Sequence, residues 1–73
     1  MANPTNEYRG NRVITLLDAY AEITAPGDEG EDWIITDLIA DLLHLAHLRG
    51  HATTTIINNA VMHFETEIES EEA

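Results

Sequence analysis

The chain contains no cysteine and no lysine among its 73 residues, and its aromatics are one tryptophan, two tyrosines and one phenylalanine. Without cysteine, neither a disulfide framework nor a thiolate metal site can reinforce the fold. Arg9, Arg12 and Arg49 stand alone against fourteen acids, for a formal net charge of -11. Such a surface repels nucleic acid and anionic membranes, which argues against direct binding to either. No apolar run approaches the roughly 20 residues of a membrane-spanning helix. The opening MANPTNEYRG lacks the basic and apolar regions of a secretory leader, so a cytoplasmic location is expected. Serine occurs once, as Ser70, and no glycine-rich phosphate cradle is present. These absences argue against nucleophilic catalysis and leave no cofactor to expect.

What is present is helical periodicity. The segment Trp33 to Arg49, WIITDLIADLLHLAHLR, is the longest and most apolar stretch. At 100° per residue, Ile34, Ile35, Leu38, Ile39, Leu42, Leu43, Leu45 and Ala46 share an arc of roughly 180°. Thr36, Asp37, Asp41, His44 and His47 lie opposite. An arc that wide exceeds a two-helix seam and predicts at least two neighbours. Before it, Val13, Leu16, Leu17, Tyr20 and Ile23 share one arc, with Thr15, Asp18 and Glu22 on the other side. Pro26 and Gly27 end that helix near Thr24. After it, Ile56, Ile57, Ala60, Val61, Phe64 and Ile68 keep a helical period despite the β-branched run Thr53 to Ile57.

The expected fold is all-α: one domain over residues 1–73, with helices at about 11–24, 32–49 and 54–69 packed up-down-up. Residues 1–10 and 70–73 are expected to be flexible, with Met1 to Asn3 loose and Pro4 compatible with the approach to a helix that Thr5 could cap. Asp28 and Glu31 have capping-box spacing ahead of the second helix. Gly50 suits a left-handed residue at its end, and Thr53 or Thr54 is the expected cap of the third. Glutamates from Glu65 onward meet no basic residue at helical spacing, so that end should fray. Tyr8, Trp33 and Met62 lie off the apolar arcs and are candidates for a contact surface. A domain this small has a marginal core, and helix 2 is incompletely covered by two neighbours, which predicts a homodimer.

Two kinds of site are conceivable. Asp37, Asp41 and His44, spaced by four and three, stack on one helix face and are plausible metal ligands. The same spacing is what any solvated helix face produces, and no HExxH motif or calcium loop accompanies it. The four histidines would partly relieve the negative charge on acidification. The second kind is the acidic surface itself: Asp18, Glu22, Asp28, Glu29, Glu31, Asp32, Asp37, Asp41, Glu65 and Glu69. A surface of that kind suits a basic protein partner.

Two resemblances bear on these sites. The stretch DLIADLLHLAHLRG, Asp37 to Gly50, resembles the second metal-site helix of the MazG-type all-α nucleotide pyrophosphohydrolases. That likeness implies magnesium-dependent hydrolysis of nucleoside triphosphates, with Asp41 and Asp37 as the matching positions. Leu38 stands where the family's motif has glutamate, and helix 1 offers Asp18 and Glu22 in place of its ExxE pair. In size, charge and lack of cysteine the whole chain resembles small acidic phage or mobile-element proteins of the anti-restriction and anti-CRISPR type. That likeness implies a non-enzymatic inhibitor that mimics nucleic acid and engages a basic nucleic-acid-binding protein, such as a host defence nuclease complex. The expected function is therefore an acidic binding module. The alternatives are a metal-dependent helical protein and a small structural or oligomerisation domain whose charge serves solubility or high-salt adaptation.

Overall fold

A computed structural model describes residues 5–72, and the described residues are helices joined by short links, with no strand. Three long helices make a small all-α bundle: α2 (Ile14–Thr24), α3 (Glu31–Leu48) and α4 (Thr53–Glu72). A short helix, α1 (Asn6–Asn11), precedes them. Helix α3 is central and packs on both α2 and α4, while α1 packs on α4. The expected looseness of Met1 to Asn3 and the approach at Pro4 lie outside the described residues, as does Ala73.

Each boundary has a local cause. Thr5 caps α1, its Oγ1 accepting from the Tyr8 amide at 3.1 Å. Where one helix is expected from residue 11, the chain kinks: Val13 adopts φ -99°, ψ 0°, its amide turns to the Gly10 carbonyl, and α2 starts at Ile14. Helix α2 ends as Ala25 takes the left-handed conformation, φ 48°, and its amide reaches the Ala21 carbonyl. Gly27, at φ 71°, completes the turn.

Helix α3 is capped by the extended backbone of Gly30, without a side-chain hydrogen bond. The capping box expected of Asp28 and Glu31 therefore does not form, because the helix begins later than Asp28 can reach. Glu31 and Asp32 instead fill the first turn, where negative charge favours the helix dipole. Gly50, at φ 76°, closes α3 as expected. Thr53 lies inside the first turn of α4 and does not cap it from outside, the Ala52 carbonyl accepting from the Ile56 amide at 3.1 Å.

The last turns of α4 persist to Glu72 instead of ending at residue 69, and α1 supplies the reason. Arg9 Nε pairs with Glu67 Oε2 at 2.6 Å, and Arg9 Nη1 donates to Asn6 Oδ1 at 2.7 Å. Asn6 then donates from its side chain to the Glu67 carbonyl at 2.9 Å and from its amide to Glu71 Oε1 at 2.7 Å. The glutamates that lack cations along their own helix find one across the fold, and Asn6 and Arg9, within the stretch expected to be flexible, are held on α4 by the same bonds.

The apolar arcs are correct in position but not in depth. Ala46 alone is buried among the described residues, at 9% exposure. Leu17, Tyr20, Ala21, Ile34, Leu38, Leu43, Ile57 and Ile68 are half-buried, and much of what remains of the expected core faces solvent. Ile23, placed in the core arc of the first helix and found in the last turn of α2, is 82% exposed. The Cα radius of gyration is 14.2 Å, against roughly 11 Å for a compact chain of this length.

Candidate functional site

The fourteen acids are not spread evenly, and the folded chain turns their order in sequence into two regions. Between Asp41 and Glu65 lie 23 positions without a single carboxylate. That interval includes the C-terminal end of α3, the Gly50 turn and the first twelve residues of α4, together with all four histidines and Arg49. The molecule therefore has carboxylate-bearing regions and an acid-free segment, Leu42 to Phe64, around the turn of the α3–α4 hairpin.

One acidic region centres on Tyr20. Its hydroxyl donates to Asp41 Oδ2 at 2.6 Å, joining α2 to α3. The phenol's pKa is pushed up from 10.0 to about 12, chiefly by that hydrogen bond, then by desolvation and by the charges of Asp41, Asp37 and Glu29. Asp41 alone touches the phenol; Asp37 on α3 and Glu29 in the loop before it act on it only through their charge. The arc pattern placed Tyr20 with the apolar residues; its ring is half-buried but its oxygen serves the polar face.

The remaining surface candidates are all exposed. Asp18 and Glu22 lie on α2, Asp28 and Glu29 in the linker, Glu31 and Asp32 at the start of α3, and Glu65 and Glu69 on α4. The second acidic region, on α4, is the one α1 partly neutralises through Arg9. That is the single ion pair among the described residues.

The candidate metal ligands Asp37, Asp41 and His44 share α3 but do not converge: the described residues hold no group of three or more histidine or acidic side chains placed to share an ion. Asp41 is turned toward Tyr20. His44 and His47 border a shallow groove of about 430 Å³ with Ala40, Leu43 and Thr53, which contains no carboxylate.

The α3–α4 hairpin holds the second feature. Facing sides of α3 and α4 enclose an open cleft of about 500 Å³, lined without exception by apolar residues, among them Leu42, Leu43, Ala46, Ile57, Val61 and Phe64. Phe64 is 61% exposed and Leu42 50%. Both positions were legible as core from their period; that the core is an unfilled cleft was not.

The chain matches no known family model, no curated protein and no solved structure. The site must therefore be interpreted from its own chemistry. No helix among the described residues is long and apolar enough to cross a membrane.

Proposed function

We propose that this protein is a non-enzymatic acidic binding module that engages a basic protein surface, of the kind nucleic-acid-binding proteins present. One observation carries this reading: the carboxylates are displayed at the surface, and Arg9 is the one cation drawn into an ion pair among the described residues. Carboxylates left without intramolecular partners keep their field available to a cationic partner. A groove that gains from counterion release on binding phosphates gains in the same way from a polyanion of another kind.

The specific form of the proposal is nucleic-acid mimicry inside the cell, inhibiting a nuclease complex by occupying its basic groove. The Tyr20 region would lead the contact, because the Tyr20–Asp41 hydrogen bond holds α2 against α3 there and the charges of Asp41, Asp37 and Glu29 all reach the phenol.

The test is retention of basic nucleic-acid-binding proteins on the immobilised chain, measured against salt and against competing DNA or RNA. Binding should weaken steeply with salt and be displaced by nucleic acid. Replacement of Glu29 and Asp37 by Gln and Asn should weaken it several-fold. Retention indifferent to both salt and nucleic acid would refute mimicry.

A further inference from the structure

A folded monomer of 8.1 kDa exposes about 4,500 Å². This chain exposes 6144 Å². The excess is about 1,600 Å² by that scaling, spread over the molecule, and Ile39, Leu42, Ile56, Val61 and Phe64 around the cleft between α3 and α4 are among the large apolar residues left exposed.

We infer that a second copy of this chain fills the cleft, the α3–α4 hairpins of two chains packing face to face about a two-fold axis. The radius of gyration, 14.2 Å, exceeds the roughly 11 Å of a compact chain of this length.

Charge selects this occupant over a foreign one. Two chains of net charge -11 associate most favourably where neither brings carboxylates to the contact; the cleft lining holds none, and all of it but Ile39 falls within the acid-free positions Leu42 to Phe64. A basic amphipathic helix from another protein would find no acid in the lining to pair with its cations. In an isologous arrangement the acid-free segment of one chain meets the acid-free segment of the other, and both acidic regions stay outward. The inference does not depend on the acidic-face function, since it concerns the opposite kind of surface.

Sedimentation equilibrium and thermal melts of the full chain alone, over a wide concentration range, test it. A two-chain mass is expected, with a melting midpoint that rises with concentration. Phe64→Glu, which sets a carboxylate in the cleft, should abolish association, while Ile23→Glu, on α2, should leave the mass unchanged. Should Phe64→Glu fail to fold, Val61→Thr keeps the shape and should raise the dissociation constant roughly tenfold by burying a hydroxyl. Self-association should hold or tighten from roughly 0.1 M to 1 M salt, opposite in sign to binding through the acidic face. A single-chain mass at every concentration with a concentration-independent melt overturns the inference and leaves the cleft to another protein. So does a dimer that survives Phe64→Glu, or a dissociation constant unmoved by Val61→Thr.

Discussion

The hydroxyl of Tyr20 and the carboxylate of Asp41, 21 residues apart in sequence, share a 2.6 Å hydrogen bond that ties α2 to α3. The phenol keeps its proton until about pH 12 when folded, and releases it near 10.0 when the bond is absent. The bond's contribution to stability is fully present below pH 10 and is lost as pH rises toward 12, because the unfolded chain gives up the proton first. Titration by tyrosinate absorbance should show this late transition in the native protein. Tyr20→Phe should remove it, and Asp41→Ala should move its midpoint back toward 10.0 while lowering the melting temperature.

The pairing of Arg9 with Glu67 makes a separate prediction. Arg9→Ala removes the ion pair and the bond to Asn6, both partly exposed, so the expected cost is about 0.5–1 kcal/mol. Amide exchange should accelerate selectively in residues 66–72 and in α1. Uniform acceleration through α3 as well would show that α1 is not docked on α4 alone. Arg9→Lys should recover only part of the loss, since one ammonium cannot reproduce the two separate guanidinium contacts.

Two left-handed positions should respond in opposite directions. Ala25 carries a side chain at φ 48°, a conformation that costs a non-glycine residue roughly 1–2 kcal/mol. Ala25→Gly relieves it at the expense of unfolded-chain entropy, for a net gain of about 0.5–1 kcal/mol. At Gly50, φ 76°, an added Cβ would meet nothing within 4 Å. Gly50→Ala should therefore cost about 1 kcal/mol through the backbone alone. Chemical denaturation of both variants checks the signs.

Salt should stabilise the fold. With fourteen acids, three arginines and one ion pair among the described residues, like-charge repulsion outweighs attraction over the surface. Raising ionic strength from roughly 0.1 M to 1 M shortens the screening length about threefold. The melting temperature should rise across that range. A fall would mean that pairs such as Arg9 and Glu67 contribute more than the repulsion they offset.

The three long helices were legible because their apolar positions recur at 3.6 residues, and Pro26, Gly27 and Gly50 punctuate them where backbone geometry requires. Thr5 was legible as a cap. The kink at Val13 was not, since Asn11, Arg12 and Val13 include no residue that forbids a helix. Nor were the bonds from Arg9 to Glu67 and from Tyr20 to Asp41, which join positions far apart in sequence and depend on how the helices dock. Depth was the larger gap: periodicity assigns Phe64 and Leu42 to one side of a helix, but whether that side is covered depends on what stands opposite.

Ala46, the one buried residue among those described, gives a reference for a saturating substitution library. Selected only for the fold of an isolated molecule, such a library should be strictest at position 46, restrictive at the half-buried positions and at Gly50, and lenient at most exposed ones. Each additional site where a living cell rejects polar replacements, Leu42 and Phe64 foremost, would then mark a footprint of whatever the chain grips. The intolerance profile would draw the outline of that missing neighbour before anyone had seen it.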